Sequence, residues 1–173
     1  LHVGVTLLVY RIAARLLGAG LQAWAAAAFF ALHPCHTEAV DWISGRTDLL
    51  AALFYCAAFE LQARGVESKR WSWLAGGLAC MGLSLLSKEF AVTLPAVLLA
   101  YNLIYARERP WGWRLLGPLA AGLLVAGYLG FRLAWFGGLN TLPYPFVKLP
   151  GTPGWLWNAI AGPVMYVMDL TLF

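Results

Sequence analysis

Charge is scarce in this sequence: only 12% of its 173 residues are Asp, Glu, Lys or Arg, while 61% are hydrophobic and the mean hydropathy is +0.70. Water-soluble domains carry about 25% charged and at most about 50% apolar residues. The shortage therefore excludes a soluble globule and a disordered chain, and leaves an integral membrane protein. Cysteine is also sparse. Cys35, Cys56 and Cys80 show no paired spacing, and two of them lie inside apolar runs where a free thiol behaves as a small hydrophobe, so no disulfide framework is implied. A large excess of either sign is missing too. The formal net charge of +4 is no nucleic-acid footprint, and in a membrane chain the side on which the cations fall matters more than their sum.

What the sequence has in quantity is long apolar stretches separated by short polar breaks. A helix needs about 20 apolar residues to cross about 30 Å of hydrocarbon. Spans are expected near Leu1 to Leu17, Leu21 to Leu32, Leu49 to Ala63, Trp71 to Ser87, Ala91 to Ala106 and Leu115 to Ala134, with a truncated one from Leu156. Segments such as LQAWAAAAFFAL are apolar on every side, which a membrane β-barrel strand is not. The fold class expected is all-α, a polytopic transmembrane bundle of about six to seven spans. Pro95, Pro118 and Pro163 read as tolerated kinks inside such helices.

Orientation follows from the cations. Arg11 and Arg15, then Arg64, Lys69 and Arg70, then Arg107, Arg109 and Arg114 fall at alternate breaks and mark the cytoplasmic side. The opposite side then holds His33 to Asp48, the SerLysGlu break at Ser87 to Glu89, and the Pro- and Gly-rich loop from Gly137 to Gly154, followed by Trp155 and Trp157 as interfacial anchors. Trp71, Trp73, Trp111 and Trp113 stand beside the cytoplasmic cations in the same anchoring role. No repeat of fixed period is visible.

The informative segment is HPCHTEAVDWISGRTDLL, because His33, Cys35, His36, Glu38, Asp41, Arg46 and Asp48 concentrate ionisable groups in a greasy chain. Such groups are expensive near a membrane and tend to serve function. On a single helix, Glu38, Asp41, Arg46 and Asp48 would share a face of about 160° with Trp42, opposite Ala39, Val40, Ile43 and Leu50. The segment would then lie along the outer interface with its acids and guanidinium toward a cavity. An ordinary polar loop, with Thr37 or Asp48 as an N-cap, is the plainer reading. Metal binding is weaker: Pro34 separates His33 from His36, and no HExxH spacing sets two histidines on one helical turn.

Three cations lie on the side opposite the main positive belt. Arg46, Lys88 and Arg132 each adjoin apolar sequence and need anions. Glu38, Asp41, Asp48 and Glu89 can supply them as structural ion pairs. Alternatively, the cations meet a lipid-linked phosphate or pyrophosphate, since guanidinium forks bind phosphate oxygens bidentately. Asp169, in the truncated last span, has no assignable partner.

The runs FALHPCHTEAVDWISGRTDLLAALF and LLSKEFAVTLPAVLLAY, together with LHVGVTLLVYRIAARLLG and FRLAWFGGL, resemble the membrane half of the transmembrane and tetratricopeptide-repeat proteins, within the GT-C glycosyltransferase superfamily. The resemblance implies inverting transfer of a sugar, mannose in eukaryotic members, from a polyprenyl-phosphate donor to a hydroxyl, there of a protein Ser or Thr, on the non-cytoplasmic side. It implies no cofactor beyond that lipid-linked donor and leaves a divalent metal open. The family's catalytic Asp sits in the first outer loop. Residues 1–173 read as a partial membrane domain that begins at the second span, so that Asp is expected before Leu1, and a repeat domain after Phe173. What the resemblance carries over is a set of supporting residues, His33, His36, Glu38, Arg46, Asp48, Lys88, Glu89 and Arg132; the chemistry of the transfer then assigns Arg46, Lys88 and Arg132 to the donor phosphate, and Glu38, His33 and His36 to orienting donor, acceptor or base.

Two other classes compete. A transporter or flippase could line its path with the same groups, although transporters set ionisable residues near the midplane in both halves of a repeat, whereas these gather at one rim. A structural anchor would tolerate loss of charge from His33 to Asp48. The Ala, Leu, Trp and Gly bias favours a bacterial inner membrane over an ER membrane.

Overall fold

The computed structural model describes residues 1–42 and 45–136. Its described residues are helical, with no strand among them: α1 (His2–Leu17), α2 (Leu21–Leu32), a 3-10 turn at Pro34–His36, α3 (Thr37–Asp41), α4 (Arg46–Ser68), α5 (Trp71–Ser87), a 3-10 segment at Glu89–Thr93, α6 (Leu94–Tyr105) and α7 (Trp111–Phe136). Two compact units divide the chain, Leu1–Arg132 and Leu133–Phe173. Everything below concerns the first. The expected loop at 137–154, Trp155, Trp157, Pro163, Asp169 and the span from Leu156 lie outside the described residues.

Two helices are long and apolar enough to cross a membrane, Arg46–Ser68 within α4 and Trp111–Ala134 within α7. Among the described residues, the other spans expected from hydropathy do not reach that length. At about 1.5 Å per residue, α2 and α6 reach only about 18 Å, and the apolar run from Ala91 is divided by the 3-10 segment at Glu89–Thr93. Pro95 is the reason for that division. It stands in the first turn of α6, where its missing N–H costs nothing, so it starts a helix rather than kinking one. Pro118 does lie inside α7.

The α4–α5 pair is the backbone of the unit, and small residues let the two helices approach. A Cβ on Gly65 would stand 2.5 Å from Leu74 Cδ2, and one on Gly77 would stand 3.2 Å from the Ala58 carbonyl. Close approach through small residues is how helices associate where lipid removes the hydrophobic drive between them. The buried Ser84 hydroxyl adds a 2.8 Å bond to the Ala51 carbonyl across this seam, a contribution of about 1 kcal/mol. Ala58, Phe59, Met81, Leu85, Leu94 and Leu98 form the main core with Ala121 and Val125 of α7. Large apolar side chains on the outside, among them Leu7, Phe29, Leu86, Leu119 and Leu123, suit a lipid-facing surface.

Cations segregate by end. Arg11, Arg15, Arg64, Lys69, Arg70, Arg107, Arg109 and Arg114 all fall at the end where α1, α4 and α6 finish and α2, α5 and α7 begin. Arg114 is buried there and caps α6, donating to the carbonyls of Asn102 (3.2 Å) and Leu103 (3.5 Å), the negative end of that helix. Its guanidinium lies 4.0 Å from the Trp111 ring centroid, and Trp71 packs on Trp113.

Candidate functional site: the polar rim

The other end of the unit gathers the residues singled out in the sequence. It is built where α2 and α5 end, α1 and α4 begin, and α7 passes residue 132.

The single amphipathic helix expected beyond the break at Pro34, from Glu38 to Leu50, does not form. His33 and Trp42 are extended (ψ 127° and 130°), which divides the segment from His33 into the Pro34–His36 turn, the short α3 and the start of α4. Proline disfavours a helical residue at His33, and Thr37 donates its hydroxyl to the Pro34 carbonyl to hold the turn. The short α3 is seated on α4 by Gly45. A Cβ there would lie 2.7 Å from Ala39 Cα and 2.9 Å from its carbonyl oxygen, so only glycine permits the approach. Glu38 and Asp41 remain exposed on α3, whereas Asp48 pairs with Lys88.

All three histidines meet at this end. The His36 ring packs 4.3 Å from Phe30, 5.5 Å from His2 and 6.2 Å from His33, measured between centroids. His2 donates Nε2–H to the Ala31 carbonyl at 3.2 Å, satisfying one of the free carbonyls at the end of α2. His33 accepts the Cys35 N–H on Nδ1, which sets its tautomer. Partial burial, reinforced by its two histidine neighbours, lowers the His36 pKa below its ordinary 6.5. His36 is thus neutral at physiological pH.

The SerLysGlu break joins the remaining elements. Lys88 pairs with Asp48 at the start of α4, and its neighbour Glu89 pairs with Arg132 of α7. Arg132 also reaches Tyr128 Oη at 3.4 Å, one helical turn away. Beside them, Tyr55 Oη lies 3.1 Å from Thr93 Oγ1, and its ring packs on Phe90. Arg46 is exposed and makes no ion pair among the described residues. Of the four acids expected to serve the rim cations, Asp48 and Glu89 do so. Glu38 and Asp41 do not. His2, Tyr55, Thr93 and Tyr128 were not singled out in the sequence. Tyr128 had a legible signal in its i, i+4 spacing from Arg132, whereas His2 stands about 30 residues from its partners and nothing local announces it.

The fold and this rim define a helical membrane protein with a histidine-bearing polar rim at one end of the bundle and a cationic belt at the other. The chain belongs to the dolichyl-phosphate-mannose-protein mannosyltransferase family, whose pattern it matches over residues 1–135. Among its relatives are the human protein O-mannosyl-transferase TMTC2, 35% identical over 79% of this chain and 18% of the human protein, and the mouse TMTC2, 41% identical over 59% of this chain and 13% of the mouse protein. Tmtc1 of Drosophila melanogaster is 38% identical over 54% of this chain and 11% of the fly protein. The chain thus spans less than a fifth of the length of these relatives. They are animal proteins, and they give no support to the bacterial inner membrane suggested by composition. No solved structure matches.

Proposed function

We propose that this chain forms part of a membrane mannosyltransferase, and that its rim holds the phosphate of a polyprenyl-phosphate sugar while the sugar passes to a protein Ser or Thr hydroxyl on the lumenal side of the ER membrane. The animal relatives named protein O-mannosyl-transferases support the reaction class, and none of them favours a transporter. A bundle of six to seven spans in the whole protein is part of the same reading.

The observation that carries it is the convergence of Arg46, Lys88 and Arg132 at the histidine-bearing end of the unit, away from the main cationic belt. In the transfer, the bond from sugar C1 to the phosphate oxygen breaks, and a bond from C1 to the acceptor oxygen forms. The acceptor proton must go to a base, and negative charge grows on the departing phosphate. Guanidinium and ammonium groups at the rim answer the second need. The carboxylate partners of Lys88 and Arg132 do not block this role. The Asp48 and Glu89 side chains are 39% and 63% exposed, and water screens carboxylates so placed, so a phosphate can displace them. Neutral His36, with Glu38 and His33, lies at the same end to orient sugar or acceptor. We assign the base to an Asp of the first outer loop, as the family resemblance implies.

The test is Arg132→Ala in the full-length protein, assayed for mannosyl transfer at varied donor. We expect turnover to fall about 10- to 100-fold or donor KM to rise comparably, with Arg132→Lys recovering part of the loss. Unchanged donor KM and turnover in a folded Arg132→Ala protein would remove the phosphate role.

A further inference from the structure

We propose that the opposite end of the unit carries a second, separate phosphate site, a cavity between the C-terminal halves of α1 and α4 that takes the phosphate headgroup of an anionic lipid.

The cavity measures about 470 Å³ and is lined by Tyr10, Arg11, Arg15, Glu60, Arg64 and Glu67, with Ala14 and Ala19. Its centre is Glu60, whose side chain is only 7% exposed. Three guanidiniums converge on that one carboxylate: Arg15 through Nε (3.0 Å) and Nη2 (2.9 Å), Arg64 through Nε (2.8 Å) and Arg11 through Nη2 (3.3 Å). Arg15 is engaged through all three of its nitrogens, because its Nη1 goes to Glu67. Arg11 and Arg64 are not. Each guanidinium carries five N–H donors, and each of these two spends one on Glu60 while its side chain stays 46% or 37% exposed. Arg64 also lies 5.6 Å from the Trp73 ring centroid.

Charge balance points the same way. Three guanidiniums face two carboxylates, and Glu67 is already held by Arg15 and by the Tyr101 hydroxyl at 3.4 Å. The remaining positive charge sits on Arg11 and Arg64, on two different helices, with donors free to fork a phosphate between them. A pocket of this volume, with guanidiniums beside apolar lining, is larger than a bare phosphate requires and fits a lipid headgroup.

The lipid source follows from the surroundings. Tyr10 lines the cavity and packs on Trp24, which is itself 63% exposed, with ring centroids 4.6 Å apart. Exposed Leu16 and Leu17 stand about two turns further along α1. Amphipathic aromatic rings beside arginines and exposed leucines mark headgroup depth. The site lies about 18 Å along α4 from Asp48, taking 1.5 Å for each of the residues from 48 to 60, and this inference does not rest on the proposed transfer.

The experiment is native mass spectrometry of the full-length protein in detergent, titrated with dioleoyl phosphatidate, with dioleoyl phosphatidylcholine, and with inorganic phosphate. We expect phosphatidate to bind about tenfold more tightly than phosphatidylcholine. The Arg11→Gln/Arg64→Gln double variant should lose most of that preference, with phosphatidylcholine binding unchanged. If the double variant fails to fold, the single Arg11→Gln variant, which removes one long bond to Glu60, should still lower the preference about threefold. Equal retention of both lipids, or an unaltered preference in a folded variant, would overturn the site. Displacement of phosphatidate by millimolar inorganic phosphate would overturn the lipid assignment.

Discussion

At the scale of single residues, His36 is the group whose state is most closely set by its surroundings. Partial burial and the proximity of His2 and His33 lower its pKa in the folded protein. An unfolded chain restores the ordinary value of about 6.5. Between the folded value and about pH 6.5 the unfolded state binds more protons, so stability must decrease as the pH is lowered there and level off below the folded pKa. Thermal unfolding of the full-length protein between about pH 7.5 and 5.5 should show a declining melting temperature. The decline should flatten in His36→Gln, and an unaltered slope in that variant would remove His36 as the source. The sequence made His36 and His33 legible, because ionisable groups stand out against apolar neighbours. It gave no sign of His2, whose contacts to Phe30 and His36 depend on α1 folding beside the end of α2.

Helices and their breaks are where sequence and structure part most instructively. The boundaries of α2 and α5 follow directly from hydropathy, since apolar runs there end at Gly20, His33, Arg70 and Lys88. Residues 33–50 misled because a helical wheel tests only the periodicity of side chains. It does not register that the extended Trp42 interrupts the helix, or that Gly45 is needed for α3 to touch α4, whereas the break at Pro34 is legible in the sequence. Pro95 is the same lesson in reverse, a residue that reads as a kink within an apolar run and in fact opens a helix. Glycine positions in long helices separate sharply by environment. A Cβ on Gly65 would meet Leu74 Cδ2 at 2.5 Å and its backbone nitrogen at 3.2 Å, while one on exposed Gly127 would meet nothing within 4 Å. Gly65→Ala should therefore destabilise the full-length protein by about 1–3 kcal/mol. Gly127→Ala should be neutral or slightly stabilising, as the better helix former. Melting temperatures measured side by side in one detergent decide this, and equal values would mean that the α4–α5 seam is looser than its geometry requires.

For the whole molecule, the separation of charge between its two ends is what gives the rim a direction. The eight cations at the base match the positive-inside bias, and they place Cys35 on the far side, exposed in the Pro34–His36 turn. Cys56 and Cys80, within α4 and α5, are only partly exposed. Sidedness can thus be read from thiol chemistry. In sealed ER microsomes containing the full-length protein, a membrane-impermeant maleimide added outside should leave Cys35 unmodified, and permeabilising the membrane should expose it, as peptide mapping would show. Lys69→Cys, placed in the α4–α5 turn, should be modified without permeabilisation. The reverse pattern would turn the rim toward the cytosol. Arg46, Lys88 and Arg132 would then face the compartment opposite the proposed lumenal acceptor, and the phosphate-binding reading of that end would lose its substrate. Labelling of both positions before permeabilisation would argue against a continuous hydrophobic barrier between them, and so against α4 as a span.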